Sequence, residues 1–347
     1  MEEKNRHISI AVLCAVALVA LLLGLGLGLN ALLLPEDVAP SAPTEPPTEP
    51  PTDPPTDPPT DPPTEPPTDP PTEPPLALPE LSLTAKHGFL YVVETGEFLT
   101  IKGDMGQRIY PASITKLFST YVALLYLEPD TKIVTGNEVY AVEADSSKAG
   151  LGPGLTLTVR ELVQAMLLSS GSDASMALAT AVGRKLENDP DLSYARAIAR
   201  FVEEMNAVAD TMGLEGSHFV NPDGYHHEDH YTTARDMQKM GTVAAEEPTL
   251  RAVMAMPQAT PSVKLPYQDY PWINTNFLLH PTSSHYIDTA FGMKTGHTAA
   301  AGGCILAGFS VKGQTVIIGL FGCPNRDDRF GEVKAIYEAY VEIFCSR

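Results

Sequence analysis

The chain has 347 residues, with 43 Asp and Glu against 23 Lys and Arg and a net charge of −20. That balance excludes a general nucleic-acid binder, which needs a basic surface. Four cysteines exclude a disulfide-built scaffold, and the length allows one or two domains. Residues 1–7 form a polar tail whose two acids and two bases cancel. From Ile8 to Leu34 the only polar side chains are Ser9 and Asn30. This run exceeds the apolar core of an ordinary signal peptide and suffices to cross a bilayer. Lys4 and Arg6 precede it and the next basic residue is Lys86. The positive-inside bias therefore predicts a single-pass anchor in the cell membrane, with the N-terminus cytoplasmic and the rest of the chain outside. A cleaved signal peptide is the competing reading, but Ala39-Pro40-Ser41 would put proline beside the scissile bond. Leu13 before Cys14 does not suit lipoprotein processing.

Residues 35–79 are a stalk. Thr44 to Pro75 is eight consecutive copies of Thr-Asp/Glu-Pro-Pro. Proline fixes φ and supplies no N–H, which rules out helix and sheet. Polyproline II is favoured, and one acid per repeat extends it by self-repulsion. At about 3.1 Å per residue the repeats would reach ~100 Å. A disordered tether of no set length is the plainer reading. Ten acids lie between Glu36 and Pro75 and no base does, so the rest of the chain carries −10.

Residues 80–347 supply the globular part. Gly88–Val93 and Glu97–Ile101 read as strands around a Thr95-Gly96 turn. A long, mostly helical middle follows. Gly303–Phe309 and Thr315–Phe321 read as a hairpin around Lys312-Gly313. Phe330, Val333, Ile336, Tyr337, Tyr340, Val341 and Phe344 then recur at helical spacing. Strands at both ends with helices between them predict an α/β (α+β) domain: one antiparallel sheet assembled from distant segments, flanked by helices, with a mostly helical insertion. Cys304, Cys323 and Cys345 are an odd set for an oxidising compartment. Cys304 and Cys323 fall on adjacent hairpin strands and could pair, but buried free thiols are the favoured reading.

Three short strings carry chemistry. In the first, Tyr110-Pro111-Ala112 leads into a helical run containing Ser113 and Lys116, three apart and so on one face. A serine hydroxyl needs a base to become a nucleophile. Lysine can be that base when burial and a second cation, here Lys294, lower its pKa. Taken alone, the pair also fits a surface serine and an extended lysine. In the second, Ser170-Gly171-Ser172 breaks two helical runs, Leu162–Leu168 and Asp173–Ala181. Its hydroxyls could face a cleft, and Ser172 also suits a helix N-cap. In the third, Lys294-Thr295-Gly296 precedes the C-terminal hairpin, where small residues permit close approach to a strand edge. A lysine and a hydroxyl there suit a carboxylate, and a β-turn with an exposed lysine is the alternative. His226-His-Glu-Asp-His230 has a metal-like spacing but sits in a polar, turn-rich segment and reads as a surface loop.

In this order the strings resemble the penicillin-recognising serine hydrolases, and most closely the D-alanyl-D-alanine carboxypeptidases of the low-molecular-mass penicillin-binding kind. Tyr110–Lys116, Leu167–Ala174, Met205-Asn206, His218–Gly224, His230–Met237, Asn274–Leu279 and Gly292–His297 all take part in the likeness. The resemblance implies a β-lactamase/transpeptidase-like fold and no metal or cofactor. It implies that Ser113 attacks the carbonyl between two terminal D-alanines of a peptidoglycan stem peptide. Lys116 would be the base and Ser170 a proton relay to the departing amine. Ser172, Lys294, Thr295, Gly296 and His297 would bind substrate, with Lys294 and Thr295 on its carboxylate and the N–H groups of Ser113 and His297 as the oxyanion hole. β-Lactams are then covalent inhibitors. Ser172 stands where asparagine is usual in the family, so weaker acylation is expected, and a catalytically weak wall-binding module is the rival reading. A class A β-lactamase is disfavoured by the lack of a Glu-x-x-Leu-Asn string. Several relatives carry a further domain or membrane helix after the catalytic domain; here the N-terminal anchor is expected to serve for attachment.

Overall fold

The computed structural model describes residues 77–346. The anchor expected over 8–34 and the proline-rich repeats lie outside the described residues. None of the helices described is long and apolar enough to cross a membrane.

Five antiparallel strands form the main sheet: β1 (His87–Val92), β2 (Glu97–Lys102), β3 (Ala290–Thr298), β4 (Gly302–Val311) and β5 (Gln314–Cys323), in the order β2-β1-β5-β4-β3. The first hairpin joins the last strand directly, with His87 opposite Phe321 and Val92 opposite Val316. Sequence periodicity anticipated four of these strands. The fifth is a correction: the Lys294 string is itself an edge strand, with Lys294 opposite Leu306 and His297 opposite Gly303.

Alternation along the strands divides the core in two. Leu90, Val92, Ile305, Ala307, Phe309 and Ile318 face the terminal helix α7 (Asp328–Ser346) through Phe330, Val333, Ile336 and Tyr340. Phe89, Cys304, Leu306, Ile317 and Phe321 face the helical layer. At the centre of that layer is α1 (Thr115–Leu124), which buries Leu117, Phe118, Val122 and Ala123. A helix enclosed nearly all round can be apolar nearly all round. Around it stand α2 (Val159–Leu167), α3 (Ser172–Glu187), α4 (Tyr194–Thr211), α5 (Ala234–Glu246) and α6 (Pro248–Met254). A capping box between Thr158 and Glu161 starts α2, and Asn188 in the left-handed region (φ 52°) stops α3. The turn at Lys312-Gly313 has φ of 47° and 85°, the two positive values that match strand twist in a tight hairpin.

Cys304 and Cys323 are free and buried. Burial pushes their thiols up to about 11 and about 12, so both remain protonated and poorly nucleophilic at neutral pH.

Candidate active site

The cleft lies where the edge strand β3 meets the head of α1. Ser113 sits in a single 3-10 turn (Ala112–Ile114) that leads into α1. The Lys116 ammonium donates to Ser113 Oγ at 3.0 Å and to the carbonyl of Asp223 at 2.7 Å. Lys116 is 1% exposed, and burial lowers its pKa against the opposing charges of Asp223 and Asp173. A deprotonated Lys116 on the same line would accept the serine proton.

Lys294 is equally buried. Burial, then the ammonium of Lys116, then Arg329 hold its pKa well below the ordinary lysine value. It donates to Ser170 Oγ at 3.0 Å and to its own neighbour's carbonyl, Thr295 O, at 2.9 Å. Ser170 is therefore joined to the second lysine, while Lys116 is joined to Ser113. Ser113, Lys116, Ser170 and Lys294 form two short polar pairs within one cleft. Gly296 lets the strand approach: a Cβ there would stand 2.9 Å from Pro111 O and 3.1 Å from Ser113 N. His297 follows it on the exposed side of the strand, its imidazole pushed down by partial burial and by Arg326 and Arg329.

Ser172 is the outlying member. It is 2% exposed and is the first residue of α3, whose N-cap is Gly171 rather than Ser172. Its N–H donates to Ser147 O at 2.8 Å, and its hydroxyl has no hydrogen-bond partner among the described residues. It makes no hydrogen bond to Lys116, whose partners are Ser113 and Asp223. Ser172→Asn, with a longer arm and two donors, is expected to raise the acylation rate by about three- to tenfold, the worth of one added hydrogen bond. Stopped-flow acylation by a chromogenic β-lactam measures it; an unchanged or slower rate removes the position from substrate binding.

Several residues that complete the site have no role assigned from the sequence. Asp173 accepts from the N–H groups of Ala149 (2.8 Å), Leu151 (2.9 Å) and Ala174 (3.0 Å), which pins the loop before α2 against the Ser170–Ser172 turn. Thr275 Oγ1 lies 2.7 Å from Thr295 Oγ1 and so fixes the threonine hydroxyl. Arg329 reaches from α7 to Gly296 O at 2.7 Å. His230 is a correction to the loop reading: residues 226–229 are exposed, but His230 is 2% exposed. Its Nδ1 accepts from Val220 N (3.2 Å), so Nε2 carries the proton and donates to Thr115 Oγ1 (2.9 Å). Burial pushes its pKa down to about 3. With both nitrogens engaged, it buttresses α1 beside Lys116.

The backbone is strained at the same place. Among described residues, five non-glycine positions have positive φ, and three flank or form the site: Ala112 (49°), Ser170 (61°) and Met293 (85°). Each costs about 1–3 kcal/mol and persists only when its surroundings enforce it.

Ser113, hydrogen-bonded to a buried lysine and facing a sheet edge, has the arrangement that serine chemistry with a lysine base requires. A family model described as D-alanyl-D-alanine carboxypeptidase matches residues 73–325, and the chain belongs to that family. The D-alanyl-D-alanine carboxypeptidase DacF of Bacillus subtilis is 30% identical over 262 residues, covering 73% of this chain and 61% of its own length. The D-alanyl-D-alanine carboxypeptidase of Streptomyces sp. strain K15 is 30% identical over 253 residues, 70% of this chain and 81% of its own. The crystal structure of the Streptomyces K15 DD-transpeptidase matches with a TM-score of 0.68 at 28% identity, over 76% of this chain and 100% of that one. This chain thus spans about three fifths of the length of the Bacillus relative.

Proposed function

We propose that the chain is a serine D-Ala-D-Ala carboxypeptidase acting on peptidoglycan stem peptides, held at the outer face of the cell membrane by residues 8–34. The observation that carries the reading is the Ser113–Lys116 pair set in the same cleft as the Ser170–Lys294 pair. Ser113 Oγ attacks the carbonyl of the penultimate D-alanine as its proton passes to neutral Lys116. The carbonyl oxygen gathers charge opposite the N–H groups of Ser113 and His297. Lys294 and the Thr295 hydroxyl take the terminal carboxylate. The C–N bond breaks as the departing amine takes the Ser170 hydroxyl proton, which the proton held on Lys116 replaces, so both groups return to their starting forms. Water then cleaves the ester, returning Ser113 and releasing the shortened peptide. A β-lactam opened by Ser113 stays as a stable ester.

The test is release of D-alanine from a peptide ending in D-Ala-D-Ala, with intact-protein mass spectrometry after exposure to a β-lactam. Turnover and a single adduct are expected. An adduct without D-alanine release would favour a penicillin-binding module, and neither would overturn the reading. Recovery of the full-length protein in the membrane fraction, with residues 80–347 open to external protease, tests the anchor.

A further inference from the structure

Behind the Ser170–Ser172 turn lies a groove of about 330 Å3 that the acyl chemistry does not use. Tyr140, Tyr267 and Tyr270 line it and are 53%, 66% and 61% exposed. Single exposed apolar side chains are ordinary, but three large rings around one concavity are not. Two chain segments build the groove, and they are held firmly together. Tyr140 Oη and Tyr267 Oη are 3.0 Å apart. A Cβ on Gly150 would stand 2.6 Å from Gln268 Cβ, so the two loops are packed backbone to side chain. Trp272 Nε1 donates to Ala149 O at 2.9 Å. The groove adjoins the candidate site, since Asp173 lines it and is the residue after Ser172.

We infer that this groove holds the sugar of a glycan-linked stem peptide, an N-acetylated hexosamine stacked on Tyr267 and Tyr270. The inference rests on the carboxypeptidase reading, since the peptide that enters such a site is carried in the cell wall on strands of N-acetylated amino sugars. A pyranose ring has an apolar C–H face and a rim of hydroxyl and amide groups. Tyrosine offers the complement, a large flat apolar face with one polar tip. The Gln268 side chain on the groove wall supplies polar partners for the rim, its amide oxygen and the N–H that Tyr270 O leaves over. A volume near the lower end of small-molecule sites suits one or two such rings. The groove would then act on binding of the whole substrate and leave the bond-breaking step to Ser113 and Lys116.

Two measurements test this. Calorimetric titration with peptide-free glycan strands of alternating N-acetylglucosamine and N-acetylmuramic acid needs no catalysis. Saturable binding is expected for the wild type and loss of it for Tyr267→Ala/Tyr270→Ala; Tyr270→Ala alone, which keeps the Tyr140–Tyr267 hydrogen bond, should weaken binding and leave the melting temperature in place. In the second, KM for a disaccharide-linked pentapeptide is expected to fall below that for the sugar-free pentapeptide by about three- to tenfold, the worth of one aromatic contact. The two KM values should converge in the double variant. No glycan binding by the wild type, binding retained by the double variant, or equal KM values in the wild type would each overturn the groove assignment. Failure to release D-alanine from the sugar-free peptide would instead overturn the carboxypeptidase reading, and leaves the glycan titration to be judged separately.

Discussion

Replacing Lys116 with methionine is expected to slow acylation of Ser113 by about 10²- to 10⁴-fold, the usual worth of a positioned general base. In the wild type the rate of β-lactam acylation should rise with pH as Lys116 loses its proton, with an apparent pKa below the ordinary lysine value of 10.5. In the methionine variant that rise should vanish. Wild-type stability should rise with pH as well. Burial lowers the Lys116 pKa in the fold, so between that value and 10.5 the unfolded chain binds more protons than the folded one, and stability grows with pH. Below the folded pKa the full cost of the buried ammonium is present. The methionine variant is free of it, although Asp223 O loses its donor. The variant should therefore melt at or above the wild-type temperature near neutral pH, with the gap closing as pH rises toward 10.5. Thermal melts at several pH values check this. A variant that keeps the wild-type rate and pH profile would show that another group takes the serine proton.

The architecture could be read from the sequence where local rules suffice. Alternation in Gly88–Val93 and Thr315–Phe321, a two-residue turn at Lys312-Gly313 and a helical stripe from Phe330 to Phe344 each depend on near neighbours only. The lysine string was harder. Gly292 and Gly296 look like loop residues, yet they lie in an edge strand, because their conformational freedom serves close approach to other segments: a Gly292 Cβ would stand 2.1 Å from Met254 O. The three motifs pointed to the Ser113–Lys116 pair and to Ser170 and Lys294, but not to the pairing of the last two. That Lys294 reaches Ser170, 124 residues away, and that Lys116 leans on the carbonyl of Asp223, 107 residues away, are properties of the fold. A main-chain acceptor leaves no mark on residue identity, and neither do the positive φ angles of Ala112 and Ser170. His230 was misread for a related reason: in a polar stretch its burial depends on Thr115, which no local pattern reveals.

The largest structural effect is expected at Gly224. Its φ is +78°, and a Cβ there would stand 1.9 Å from Ala112 O and 2.7 Å from Thr115 Oγ1. Neither neighbour can yield cheaply. Ala112 already has a positive φ and carries Ser113 on its next bond, while Thr115 is tied to His230. Gly224→Ala should therefore destabilise the domain by about 3 kcal/mol or more, combining left-handed strain with an overpacked contact. It should also abolish acylation, since Asp223, the acceptor for Lys116, is the adjacent residue. Gly296→Ala separates the two effects. No positive φ is required there, and the added methyl would meet Pro111 O at 2.9 Å and Ser113 N at 3.1 Å. A shift of a few tenths of an ångström relieves those contacts, so the fold should hold. Yet that shift moves β3 away from the serine N–H, where a misplacement of about 1 Å can cost 10²-fold in rate. Urea unfolding and β-lactam acylation, measured on both variants, should show stability and rate lost together at Gly224 and rate lost almost alone at Gly296. Wild-type acylation by Gly296→Ala would mean that close contact between the edge strand and the serine turn is not needed for the reaction.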